Sequence, residues 1–183
     1  MALFAAGQRI LSAYENQVAM VATTTLVATA ASVTFSSIPG YNHLTLKWHA
    51  AGDAAVVGQQ INIQVNGVST ANYVGEKLEC NTTTVTGTLS TGTTSAQIGT
   101  IPGSSRASGY MGAGLLEMPG ITDAANHQAY VAMATAIATN TVSYVGLYAG
   151  MLAAGTAPIT TLTVFPASGN FIVGSQFSLY GWM

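Results

Sequence analysis

Apolar and polar side chains alternate in one segment after another of this chain, and a period of two is the signature of strands that bury one face. In "HLTLKWHA" (43–50), Leu44, Leu46 and Trp48 fall on one side, and His43, Thr45, Lys47 and His49, with Tyr41 before them, fall on the other. In "QINIQV" (60–65), Ile61, Ile63 and Val65 alternate with Asn62 and Gln64. The closing "FIVGSQFSLYGWM" (171–183) carries no charge and points Phe177 and Leu179 toward a core, its alternation holding until the last two positions.

The rest of the chain follows the same grammar. β-Branched residues fill "VATTTLVATAASVTFSSI" (21–38) until Pro39-Gly40 breaks it. Asn66-Gly67 is a type I′ hairpin signal, because both residues tolerate positive φ, and it predicts a return strand from Tyr73 onward. Residues 81–108, dense in Thr, Ser and Gly, read as exposed loops or a sheet edge, with a strand at "AQIGTI". The stretch 122–138 has alanine-rich helical propensity and a cap in Thr122 or Asp123. Its alternation of Tyr130, Ala132, Ala134, Ala136 and Ala138 with Val131, Met133, Thr135 and Ile137 favours a strand, joined at Thr139-Asn140 to the strand-like "NTVSYVGLYAGML". About eight short strands with regular turn signals predict an all-β antiparallel sandwich. "AGQRILSAYENQ" (6–17) is the most helix-compatible part of the first half. The expected organisation is an arm or short helix over residues 1–20 and a β-sandwich domain over 21–183.

Charge narrows the class further. Of 183 residues, 49% are apolar and 5% charged, against about 25% charged in ordinary soluble domains. The most apolar run, Met20 to Val33, is interrupted by Thr23, Thr24, Thr25, Thr29 and Ser32, so it does not supply the roughly 20 apolar residues of a membrane span. Membrane insertion is not expected. Disorder is excluded by the wealth of aliphatic and aromatic residues. Four Lys/Arg in all, from Arg9 to Arg106, give no footprint for phosphate, so nucleic acid is not expected as a partner. A net charge of −2 repels other copies weakly. The polar, uncharged surface is therefore expected to be covered in a working assembly. No basic leader opens the chain, and synthesis in a cytoplasm is expected.

No catalytic constellation emerges. His43 and His49 share a strand face, but six extended residues span about 20 Å, too far for one metal. His127 and Asp123 would pair only on a helix. Glu76 and Glu79 are the one close pair of acids, and beside Lys77 they read as solvated positions. Cys80, the single cysteine, reads as a small buried hydrophobe. "GTIPGSSRASG" (99–109) lacks the lysine and strand-to-helix setting of a phosphate loop. The aromatics Tyr41, Trp48, Tyr73, Tyr110 and Trp182 suit core or interface packing, with stacking on sugar rings as the alternative. The chain is expected to be no enzyme and to carry no catalytic, cofactor-binding or metal site.

Three blocks, "ASVTFSSIPGYNHLTLKWHA", "INIQVNGVSTANY" and "ITTLTVFPASGNFIVGSQFSLYGWM", resemble a recurring β-domain of tailed bacteriophage virion structural proteins. In that group a strand ending V-x-F-S-x-I-P leads into Y-x-H-L-x-L, an I-x-I-x-x-N-G strand follows, and the domain closes near G-N-F-x-x-G-S-x-F-x-L-Y-G. The likeness covers Ala31 to Tyr73 and Ile159 to Gly181; the Thr/Gly-rich span between matches poorly. It implies a jelly-roll-like sandwich in a virion component: a capsid decoration subunit that stabilises the shell through protein–protein contacts, or a tail, neck or head-fibre adhesin recognising host glycans. The implied partners are the major capsid protein or other virion proteins and further copies of the chain, with a host glycan as the alternative. The implied location is the virion, after synthesis in the host cytoplasm.

Overall fold

A computed structural model describes residues 18–125, 127–152 and 157–183. Among them are twelve strands: β1 (Val18–Thr25), β2 (Val33–Phe35), β3 (His43–Ala50), β4 (Gly58–Val65), β5 (Tyr73–Asn81), β6 (Thr84–Thr93), β7 (Ala96–Pro102), β8 (Gly112–Pro119), β9 (Ala129–Ile137), β10 (Ser143–Met151), β11 (Leu162–Pro166) and β12 (Gln176–Trp182). No helix occurs among the described residues. The arm or helix expected over residues 6–17 lies outside them; β1 begins at Val18.

The strands form an eight-stranded sheet, in the order β1-β12-β3-β8-β9-β10-β5-β6, packed on a four-stranded sheet, β2-β11-β4-β7. All pairings are antiparallel. The pairs β1·β12, β2·β11, β3·β8, β4·β7 and β5·β6 are nested in sequence and fall alternately in the large and the small sheet. That is a long antiparallel ribbon rolled over itself, the jelly-roll scheme, with the β9–β10 hairpin inserted between β8 and β5. The expected jelly-roll-like sandwich is thus the observed fold, built from more strands than expected.

The core lies between the sheets. Leu44, Leu46 and Trp48 of β3, Ile61, Ile63 and Val65 of β4, and Phe177 and Leu179 of β12 are buried. The closing segment is an interior strand with β1 on one side and β3 on the other, so its backbone groups are paired. Phe171 packs against Phe177 in a tilted arrangement with ring centroids 4.8 Å apart. Alternation in β12 holds one residue further than expected: Trp182 continues the outward row of Gln176, Ser178 and Tyr180.

One local expectation needs correction. The Asn66-Gly67 turn forms, with φ of 50° and 68° and the Val68 N–H donating to the Val65 carbonyl at 2.9 Å. The chain beyond it, however, crosses to the other sheet, because both edges of β4 are occupied by β11 and β7. Tyr73, buried where β5 begins, accepts from the Val65 N–H and donates to the Val68 carbonyl, tying the crossing chain back to the turn. The Thr/Gly-rich stretch, expected as loops or an edge, contains β6, the edge strand of the large sheet, exposed along nearly its whole length.

Residues 129–137 form a strand, with the β9–β10 turn at the expected place. Tyr130, Ala132, Ala134 and Ala136 face inward and Val131, Met133, Thr135 and Ile137 outward. Past Tyr130 the inward residues are alanines, and at Ala134 the Trp48 indole lies against this wall: a Cβ on Gly114, which pairs with Ala134, would sit 2.0 Å from Trp48 Cζ2. Bulk that the core cannot hold is carried on the outside.

Candidate functional site

The outer face of the eight-stranded sheet is divided by composition. Across β12, β3 and β8 it is polar and aromatic, with Tyr180, Trp182, His43, Lys47, His49 and Glu117. Here the Trp182 indole N–H donates to Thr45 Oγ1 at 3.0 Å, and the Thr45 hydroxyl donates to Glu117 Oε2 at 2.8 Å. Glu117 also pairs with His43, whose ring lies 6.0 Å from that of Trp182. Thr45, expected to be solvated, is buried, because Trp182 covers it and supplies its hydrogen bond. Lys47 Nζ sits 5.3 Å from the centroid of Tyr180.

Across β9, β10, β5 and β6 the outer face is aliphatic. Val131, Met133 and Ile137 project from β9, and Val145, Leu147 and Met151 from β10. Leu78 on β5 and Val85 and Leu89 on β6 extend the surface to the sheet edge. All nine are between 42% and 66% exposed. Register makes them contiguous: Leu115 pairs with Met133, Met133 with Leu147, and Leu147 with Leu78, one row across four strands. The adjacent row runs through Thr135, Val145, Cys80 and Val85. Between them lies an open trough of about 750 Å³. Cys80, expected as a buried hydrophobe, is half-buried on its wall. An antiparallel sheet with a solvated outer face ordinarily shows polar residues there. A continuous apolar surface of several hundred Å² marks a contact site.

β6 sharpens the point. Even its inward residues, Thr86, Thr88 and Ser90, are exposed, and Thr88 and Ser90 line a polar cleft of about 130 Å³ with Lys77 and Gln97. Its apolar residues Val85 and Leu89 therefore contribute to no core of this domain.

Glu79 does not belong to the solvated pair expected around Lys77. Glu76 is exposed, but Glu79 points between the sheets and is buried. It accepts from Thr100 Oγ1 at 2.6 Å and from the Tyr148 hydroxyl, with Lys77 Nζ 3.5 Å away. Desolvation raises its pKa, but the hydrogen bonds from Thr100 and Tyr148 and the charge of Lys77 outweigh it and hold the carboxyl below its ordinary value. Burial and the neighbouring carboxylate push Tyr148 well up, and burial pushes Tyr130 up to about 12. Through Glu79 Oε2 the hydroxyls of Thr100 and Tyr148 tie β5, β7 and β10 together, while Oε1 faces Lys77 on the same strand.

The other sequence candidates stay apart. His43 and His49 lie at opposite ends of β3, His49 beside Tyr110 and Met111 in a separate hollow. The described residues from 122 to 125 and 127 to 128 are not helical, so the spacing of His127 and Asp123 does not bring a helical pair together. Among the described residues no three His, Cys, Asp or Glu side chains gather as a metal-binding group. Of the aromatics, Trp48 and Tyr73 are core residues, whereas Trp182 is 39% exposed. Sequence reasoning missed the aliphatic half-face. Its signal was present in β9, where the larger side chains alternate with alanines, but parity alone does not say which side is inside.

No protein-family model matches the chain, and no curated protein matches it in sequence. Among solved structures, an exo-inulinase from Aspergillus awamori is similar over 93% of this chain and 31% of its own, at 10% identity and a TM-score of 0.42. The chain thus spans about a third of that enzyme's length. A galectin of Caenorhabditis elegans is similar over 88% of this chain and 95% of its own, at 9% identity and a TM-score of 0.35. Likenesses this loose carry nothing about function.

Proposed function

We propose that this chain is a structural subunit of a tailed-bacteriophage virion, a capsid decoration protein that stabilises the shell through protein–protein contacts. The observation that carries the reading is the aliphatic half-face, a surface that serves no core of its own domain. The three sequence blocks that resemble phage virion domains support it, as does the scarcity of charge. Each large apolar side chain buried against a partner contributes roughly 1.5–3 kcal/mol, and repetition over a symmetric shell multiplies weak contacts into avidity. The reading is non-catalytic, since the buried carboxylate is committed to Thr100, Tyr148 and Lys77 and His43 to Glu117. Nor do the three described cations form a cluster for nucleic acid: Lys47 lies over Tyr180, Lys77 serves Glu79, and Arg106 donates to the carbonyls of Gly52 and Gly103.

The test is to add purified protein to undecorated shells. Saturable, stoichiometric binding with a rise in shell stability is expected, and the absence of both would overturn the reading. Copy number separates the locations: hundreds of chains per particle mean a shell subunit, and a few to a few dozen mean a tail or neck component. A second reading, an adhesin for host glycans, is favoured by the exposed Trp182 beside Tyr180 and Lys47. It requires binding on a glycan array that Trp182→Ala abolishes.

A further inference from the structure

We infer that the aliphatic half-face of β9, β10, β5 and β6 is a twofold interface with a second copy of this chain. The inference rests on the adhesive reading of the same surface and names its occupant.

Three observations select a second copy. The first is size. Nine large side chains, each roughly half exposed, present several hundred Å², on the order of the roughly 800 Å² per partner of a standard stable interface. A twofold operation sets an identical patch against it, so the two areas match by construction. The second is chemistry. The patch is made of Val, Leu, Ile, Met and Ala with Thr135 and Cys80 among them, and has none of the tyrosine, tryptophan or arginine anchors typical of surfaces that bind a different protein. Homodimer interfaces resemble a domain core cut in two, and this face has that composition. The third is charge. Glu76 is the charged side chain that β5 turns outward here, next to Leu89 in the adjoining row, and the central rows through Leu147 and Val145 carry none. With a net charge of −2, two copies meet without strong repulsion. The dimer stacks the outer faces of two large sheets about 10 Å apart, as sheets pack inside a sandwich. The polar half, with His43, Lys47, Tyr180 and Trp182, remains open on both sides of the assembly.

Sedimentation velocity of the full chain, from micromolar to sub-millimolar concentration, tests this. The wild type is expected to run at twice the monomer mass. Met133→Lys places a charge in the central row and should raise the dissociation constant at least about a hundredfold. Leu147→Ser, a milder change at a solvent-facing position, should act in the same direction, and Gln176→Glu, at an exposed position of β12 on the far side of the polar half, should leave association unchanged. Far-UV circular dichroism and cooperative thermal unfolding report whether each variant is folded. Cys80 gives a readout without mutation, since its labelling by a water-soluble maleimide should slow as concentration rises. A wild type that stays monomeric at the highest concentration overturns the inference, whatever else covers the face. So does a dimer whose dissociation constant neither variant changes. A monomer that still binds shells would leave the virion reading standing and remove this interface; a dimer inert toward shells would do the reverse.

Discussion

Glu79 on β5 and Thr100 on β7 meet across the space between the two sheets, the Thr100 hydroxyl donating to Glu79 Oε2 at 2.6 Å. The Tyr148 hydroxyl donates to the same oxygen, so one carboxylate joins three strands from both layers. Because its folded pKa is depressed, the stability this group contributes is present above the ordinary glutamate value of about 4.3. It is lost as the pH falls through the lowered folded value. Glu79→Gln should cost about 1–3 kcal/mol at neutral pH, since the amide turns a donor toward Tyr148 or Thr100 and leaves Lys77 without its counter-ion. It should also flatten the acid limb of the melting temperature against pH, measured by circular dichroism from neutral pH into the acid range. An acid limb of wild-type steepness would show that Glu79 is not the group responsible.

Gln59 on β4 faces the core with Ile61 and Ile63, and neither end of its amide has a protein partner. Burying an unpaired amide is unfavourable, and a methionine of similar length carries no such penalty. Gln59→Met should raise stability by about 1–2 kcal/mol. Chemical denaturation checks it, and an unchanged or lower midpoint would mean that the amide is satisfied.

Asn66 combines a left-handed backbone, φ 50°, with a side chain that clasps the approach to β11. Its Oδ1 accepts from the Thr160 and Thr161 N–H groups at 2.8 and 3.0 Å, and its Nδ2 donates to the Pro158 carbonyl at 2.9 Å. Asn66→Ala loses both features and should cost roughly 2–4 kcal/mol; Asn66→Gly keeps the conformational freedom and should cost about half as much. Equal losses in the two variants would place the whole effect in the side-chain clasp.

Gly114 is fixed by Trp48. A methyl group there overlaps the indole, so Gly114→Ala should destabilise by about 1–3 kcal/mol or more through displacement of Trp48. Trp48 fluorescence should shift in emission, while Gly109→Ala, where no atom lies within 4 Å of the added carbon, leaves it unchanged and costs only the strain of a positive φ.

Much of the sandwich was legible because alternation is a local property. Leu44, Leu46 and Trp48, or Phe177 and Leu179, take one side of a strand however the strands are arranged, and the Asn66-Gly67 turn follows from two residues that tolerate positive φ. β6 was harder to read, because an edge strand of Thr, Ser and Gly that buries nothing inside its own domain leaves no core pattern in the sequence. Glu79 was misplaced for a related reason: beside Glu76 and Lys77 it looks solvated, and only Thr100 and Tyr148, 21 and 69 residues away, make its burial favourable.

By itself the sequence determined that this chain is all-β, poor in charge, and able to bury one side of most of its strands, since periodicity and composition need no knowledge of neighbours. Tertiary structure alone decided which side of β9 faces the core. Trp48 lies against Gly114, the partner of Ala134, and Tyr130 with the alanines takes the inner side, so Val131, Met133 and Ile137 are turned outward onto the surface from which the proposed function is read.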